Sequence, residues 1–327
     1  MLAACRQSPA PAGDAVPSAA ATNAAPVSPA VVAYVPNQRS GTISVIDTAS
    51  DAVVRTLSAG GGLGKRLQQI SPTPDGKQLY VVDAEHHRLL LLDVAADKVV
   101  RQLDIGEGAE GVGVSPDGTQ VAVCVEQQNQ VMFVSTASFA ETQRMDVRGK
   151  APEHCAWTPD GKQVVVSNEG SDSLDVIDAA SGKSVTSIAT SGHPRGIAFS
   201  PDGHTAYVAQ ESANVVDVID LATGKKLASI PAGLRTAGIT ISPDGNRVFA
   251  SNGGAASVTF IDAATRKPLG DVPVGQRPWN PALTPDGTKL YVANGRSNTV
   301  SVIDVASMKE TKQIPVGELP WGVVIGR

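Results

Sequence analysis

Residues 195–230 read RGIAFSPDGHTAYVAQESANVVDVIDLATGKKLASI. GIAFS (196–200) is a short apolar strand. Pro201-Asp202-Gly203 turns it, since proline presets the first turn dihedral and glycine accepts a positive φ. TAYVA (205–209), β-branched and aromatic, is a second strand. The polar loop QESAN (210–214) leads to a third, VVDVID (215–220), LATGK turns the chain again, and KLASIPAG (226–233) is the outer strand. Four antiparallel strands this short are not stable alone. They need copies of themselves to pack against.

The copies are present. Pro-Asp-Gly recurs with its Asp at 75, 117, 160, 202, 244 and 286, in steps of 42 or 43 residues. VIDTAS (45–50) returns as LLDVAA, FVSTAS, VIDAAS, VIDLAT, FIDAAT and VIDVAS (302–307). YVPN (34–37) returns as YVVD, VVSN, YVAQ, FASN and YVAN (291–294). A period near 42 with four strands per unit is that of a β-propeller with one blade per repeat. Six complete units run from Leu67 to Gly317, leaving three strands in front (31–58) and one behind, within PWGVVIGR (320–327). Three and one make a seventh blade whose innermost strand is the chain's last, so the expected fold is an all-β, seven-bladed ring closed between its ends. Closure hides the edge groups that an open sheet would expose.

The phrases YVAN, VSVIDVAS and SPDG at this step resemble the YVTN family of bacterial and archaeal seven-bladed propellers, over residues 31–327. WD40 repeats are excluded, because their Gly-His and Trp-Asp signatures are absent. Relatives of the family include surface-layer proteins, periplasmic binding proteins, lactonases, and the propellers of quinoprotein amine dehydrogenases and cytochrome d1. The resemblance therefore implies a fold and leaves function open. Blade 2 departs from the pattern, with AVCV at 122–125 and Ser135 where Asp is usual.

Residues 6–30, rich in Pro, Ala and Ser, read as a disordered tether. Before it stands LAAC (2–5), which resembles a bacterial lipobox and makes residues 1–5 the remnant of a lipoprotein signal, with Cys5 the lipidated residue. The charged and apolar parts of such a signal are absent, so this reading requires a start upstream of Met1. Arg6, rather than Asp, after the cysteine resembles outer-membrane sorting. The expected location is the periplasm or envelope of a Gram-negative bacterium, with membrane contact only through Cys5. The net charge of −5 gives no reason to expect nucleic acid as partner.

No nucleophile elbow, His-Glu-x-x-His, phosphate loop or Cys-x-x-Cys-His is present, and no cofactor or metal is expected. Cys124 and Cys155 lie in apolar strands and read as small packing residues, with a disulfide between neighbouring blades as the alternative. The repeated Asp47, Asp93, Asp178, Asp220, Asp262 and Asp304 end strands before turns, where Asp bonds local backbone. Glu85, His86 and His87 share one loop, but adjacent residues in an extended segment point apart, so a solvated loop is expected.

The repeats differ from one another where the chain approaches the innermost strand, at one rim of the central channel. Arg66, Gly108, Ala151, His193, Arg235, Arg277 and Leu319 share one position in the repeat. Two residues on come Gln68, Glu110, Glu153, Arg195, Ala237, Trp279 and Trp321, with His154 and Asn280 directly after two of them. The Gly-rich insertion AGGGLGK (59–65) falls on the same rim and would let a ligand approach backbone. Glu110 and Glu153 stand in neighbouring blades, so one side of the mouth is expected to be acidic and the other basic. The reading is a non-catalytic propeller that binds an envelope protein, a glycan or a small anionic ligand at this mouth. The alternative is an enzyme or enzyme subunit: a lactonase-like hydrolase, for which Glu153–His154 is the adjacent candidate pair, or the propeller partner of a quinoprotein or haem redox system.

Overall fold

The computed structural model describes residues 31–326. The lipobox, Cys5 and the tether lie outside these residues. The described chain holds twenty-eight β-strands and three single 3₁₀ turns, arranged as seven antiparallel four-stranded sheets. Blades 1 to 6 span residues 67–104, 109–146, 152–189, 194–231, 236–273 and 278–315. Blade 7 orders its strands as Val324–Gly326, Val32–Asn37, Thr42–Asp47 and Ala52–Leu57. The chain's last strand is thus the innermost of that blade, and Tyr34 pairs with Val324.

Burial follows the position of the strand. The second and third strands of each blade are apolar and closed off, whereas outer strands such as Ala52–Leu57 and Lys98–Asp104 are mostly exposed. Apolar clusters form between blades. Tyr80, Val82 and Leu91 of blade 1 pack against Val112, Val123 and Met132 of blade 2, and Ala33 and Val35 of blade 7 pack on Tyr291 and Val300 of blade 6. Blade 6 also clasps blade 7 by polar contacts: the Lys289 ammonium donates to Asp51 at 2.8 Å and to the Thr48 carbonyl at 2.9 Å, and the Tyr291 hydroxyl donates to Asp51.

The repeated aspartates do the turn work expected of them. Asp178 accepts the Ser181 amide at 2.8 Å, Asp304 that of Ser307 at 2.8 Å, and Asp202 that of His204 at 3.0 Å. In blade 2 the Ser135 hydroxyl takes the same place at 3.4 Å from the Ser138 amide.

The cysteines correct the expectation of separate packing residues. Cys124, on the second strand of blade 2, is bonded to Cys155, on the inner strand of blade 3. Sequence spacing hides this pairing, because it depends on neighbouring blades stacking with these two positions at the same height; their Cα atoms are 5.8 Å apart. Both residues are almost wholly buried, at 0% and 3% exposure.

Candidate functional site

The inner strands of blades 1 to 6 begin with a break in register. Pairing jumps from Leu67 to Ile70, Ala109 to Val112, Pro152 to His154, Pro194 to Ile197, Thr236 to Ile239 and Pro278 to Pro281. Gln68, Glu110, Glu153, Arg195, Ala237 and Trp279 all sit inside these irregularities. A bulge frees a side chain from the pleat and re-aims it. Here it gathers one side chain per blade around the channel.

The preceding rim position is held in the left-handed region at Gly108, Ala151, His193, Arg235, Arg277 and Leu319, with φ of 53° to 74°. Only glycine adopts this freely, so the other five are strained and need fixing from outside. The Ala151, Arg235 and Leu319 amides donate to Asn129, Asn214 and Asn298 of the preceding blade at 2.7 to 2.9 Å. Their own carbonyls, with that of His193, accept amides from the loop between second and third strands: Glu169 to Ala151, Glu211 to His193, Gly253 to Arg235. Arg66 stands apart. Its φ is not left-handed, its side chain is exposed, and among the described residues it has no ion pair.

Those carbonyl bonds, with that of the Glu126 amide to the Gly108 carbonyl, bring in three residues that the sequence reading missed. Glu126, Glu169 and Glu211 directly follow the second strand in blades 2, 3 and 4. They read as polar loop residues, and the available signal was an acid at one offset in three consecutive repeats. Arg195 meets Glu153, Glu169 at 3.0 Å and Glu211 at 3.1 Å. Glu211 also takes Arg235 at 2.6 Å and Arg277 at 3.2 Å, and His193 lies 3.0 Å from Glu169. Gln38 donates to Gln68 at 2.6 Å, which donates to Glu110 at 3.1 Å. In blades 5 and 6 the equivalent loop position is glycine. A Cβ there would come within 2.9 Å of Arg277 Nη1 at Gly253 and 2.7 Å of Trp279 Nε1 at Gly295. The glycines make room for these two large side chains.

An aromatic ladder runs beside the ions. The Arg277 guanidinium lies 4.3 Å and that of Arg195 5.3 Å from the Trp279 ring. Trp279 stacks on Trp321 at 6.4 Å, and Trp321 on His154 at 5.7 Å. Cationic groups over indole faces gain about 0.5–2 kcal/mol.

Around the ring, Glu110 and Glu126 stand in blade 2 and Glu153 and Glu169 in blade 3, whereas Arg235 and Arg277 enter blades 5 and 6. The acidic and basic sides meet at Arg195 and Glu211 of blade 4, where Arg195, Arg235 and Arg277 are committed to carboxylates, above all Glu211. The Gly-rich insertion is also occupied: Arg88 donates to the Gly62 carbonyl at 2.8 Å and the Gly64 amide to Asp83 at 3.2 Å. His86 pairs with the same Asp83 at 3.0 Å, while Glu85, His86 and His87 are all exposed, the solvated loop expected there.

Protonation follows from burial. Burial, and then the neighbouring Glu126 carboxylate, pushes Glu110 up to about 7. Burial also raises Glu126, and it raises Glu153 well above the usual range against the pull of Arg195. Burial pushes Glu211 up as well, but Arg195, Arg235 and Arg277 outweigh it and hold the group low. His154 is pushed down to about 3 by burial and by Arg195, so its ring is neutral. The mouth therefore offers a carboxyl pair, Glu110 and Glu126, able to give and take a proton near neutrality, with Arg66 close enough to Glu126 to lower its proton affinity. Among the described residues no three His, Cys, Asp or Glu side chains are grouped as a metal ion would require.

A protein-family model described as "Lactonase, 7-bladed beta-propeller" matches residues 154–315. The chain is similar to these lactonases across blades 3 to 6. The matched span begins at His154 and includes Glu169, Arg195, Glu211, Arg235, Arg277 and Trp279. Among solved structures, hydrazine synthase of Kuenenia stuttgartiensis aligns at 23% identity, covering 77% of this chain and 87% of that one, with a TM-score of 0.71. A functionally unknown protein from Desulfotomaculum acetoxidans aligns at 16% identity over 90% and 99% of the two chains, with a TM-score of 0.79. At these identities the likeness is one of fold. No curated protein matches the chain.

Proposed function

We propose that the channel mouth hydrolyses small cyclic esters, the alternative that the sequence left open. The observation that carries this is the Glu110–Glu126 pair, two partly buried carboxyls that hold each other's protons, with Glu110 pushed up to about 7 and Glu126 raised as well. A carboxylate of that affinity is a general base at neutral pH and, once protonated, a general acid. Glu110 takes a proton from water as the hydroxyl attacks the ester carbonyl. The negative charge on that oxygen faces the unpaired Arg66 guanidinium. The ring bond then breaks, and the leaving alkoxide recovers the proton from the pair, giving a hydroxy acid. The similarity of blades 3 to 6 to lactonases supports the substrate class. The test is release of acid from γ-butyrolactone and δ-gluconolactone by wild type and Glu110→Gln. Equal rates, corrected for spontaneous opening, would remove the proposal.

The YVTN-type repeats and the envelope setting, with a lipid on Cys5, belong to the same reading. The buried Cys124–Cys155 bond supports that setting, because such bonds form and persist chiefly outside the reducing cytosol. Expression from an upstream start should place the protein in the membrane fraction, and Cys5→Ser should release it. Recovery of wild type as an unlipidated soluble protein would contradict the anchor.

A further inference from the structure

Below the mouth, on the channel axis, lies a cavity of about 190 Å³ whose wall includes Ile70, His154, Ile197, Ile239, Asn280 and Trp321. The ion network does not use it. Glu153 is turned to Arg195, and its Oε1 is 3.8 Å from His154 Nδ1, too far to bond. His154 is only 6% exposed, and its polar neighbour on the cavity side is Asn280, which engages at most one ring nitrogen and leaves the other without a partner among the described residues. Leaving a buried polar group unpaired costs about 1–3 kcal/mol. An imidazole nitrogen left unpaired beside one void, with the ring held in place by the Trp321 face, describes a site prepared for something else.

The chemistry of the wall says what. The imidazole is neutral, so it offers one N–H and one lone pair, and Asn280 adds donors. No free cation faces the void, since Arg195 is committed to three carboxylates. An anion placed here would lose its hydration without compensation. Ile70, Ile197 and Ile239 supply apolar wall. The space equals roughly six water molecules, enough for a five- or six-membered ring.

We infer that this cavity binds a small uncharged carbonyl compound, its oxygen accepting from His154 and Asn280 and its hydrocarbon part lying on the three isoleucines. The inference stands without the hydrolytic reading of the mouth, and cyclopentanone, which has no ester bond, separates the two.

The experiment follows the ¹³C methyl signals of the isoleucines and the ¹⁵N signals of the His154 ring as cyclopentanone is added. Saturable shifts of both are expected. Affinity should weaken at least tenfold in His154→Leu and vanish in Ile239→Trp, which fills the void; Ile197→Phe serves if that variant does not fold. No saturable shift in wild type overturns the inference. So does unchanged affinity in the variants, or cyclopentanecarboxylate binding as tightly as the ketone. Ketone binding without any lactone hydrolysis keeps the cavity site and removes the catalytic mouth. Hydrolysis without ketone binding does the reverse.

Discussion

The Arg195 guanidinium of blade 4 lies 3.0 Å from the Glu169 carboxylate of blade 3. The ion network therefore crosses a blade boundary instead of belonging to any single repeat. Arg195 is the member that three carboxylates depend on. Replacing it with Met should leave Glu153, Glu169 and Glu211 in partial burial without their shared cation. The expected cost is about 3–5 kcal/mol, the range for breaking a buried pair from one side. Urea denaturation measures it, and a loss below about 1 kcal/mol would mean that the network is solvated.

Arg66 should behave in the opposite way. It is exposed and unpaired, so Arg66→Ala should leave the melting temperature within a degree or two while lowering lactone hydrolysis by about a hundredfold, the effect of losing one oxyanion partner. Arg235→Ala, which removes a partner of Glu211, should alter stability more than turnover. The reverse ranking would place the reacting oxygen elsewhere.

Glu110 gives a pH dependence of defined sign. Its carboxyl ionises near its usual value when unfolded and at about 7 when folded, so the folded state holds an extra proton between those pH values. Stability should fall as pH rises from about 4.5 to 7 and then level off. Glu110→Gln should remove that fall, on the order of 3 kcal/mol for a shift from 4.5 to about 7. kcat/KM should rise through pH 7 in wild type, and the residual rate of the variant should not. His154 acts on the other side: neutral when folded, it costs stability as pH drops from 6.5 towards 3, and His154→Leu should flatten the acid limb.

The Cys124–Cys155 bond closes a span of 31 residues. Cys124→Ala with Cys155→Ala should lower stability by about 3 kcal/mol. Because both sulfurs are buried, dithiothreitol should leave the melting curve unchanged until the protein unfolds. Rapid labelling of either cysteine in reduced native protein would contradict that burial.

Ring closure can be tested by deleting residues 319–327. The deletion removes the inner strand beside Tyr34 and uncovers the face where Val35 meets Tyr291. Aggregation, or a fall in melting temperature of more than about 15 °C, is expected, measured against Asp51→Asn, which loosens only the polar clasp of Lys289 and Tyr291.

The architecture was legible because it repeats. Pro-Asp-Gly fixes one turn per blade, and the leftover strands at 31–58 and 320–327 sum to a blade. The mouth was legible by register alone: lining up the repeats brought Glu110, Glu153, Arg195 and Trp279 to one position, although nothing in the sequence says that this position is a bulge. Glu126, Glu169 and Glu211 escaped notice because a polar residue after a strand looks like ordinary loop. Their amides bond the rim carbonyls of Gly108, Ala151 and His193, and that places their carboxylates at the mouth. The Cys124–Cys155 bond stood only as the alternative to separate packing residues, because it depends on the relative height of two blades, which spacing along one chain does not report.

The three-residue strand Val324–Gly326 has a consequence in time. It is the last of twenty-eight strands to be made, and its partner, Val32–Asn37, is the first. A chain emerging from the ribosome, or threading through a translocation pore, carries Val32–Asn37 without its inner neighbour until synthesis of nearly everything else is done. Local blades can form early, but the circle cannot. Contacts this distant in sequence form late and slowly. The ring is thus committed to its native shape only once Val324–Gly326 has been made and has found Val32–Asn37.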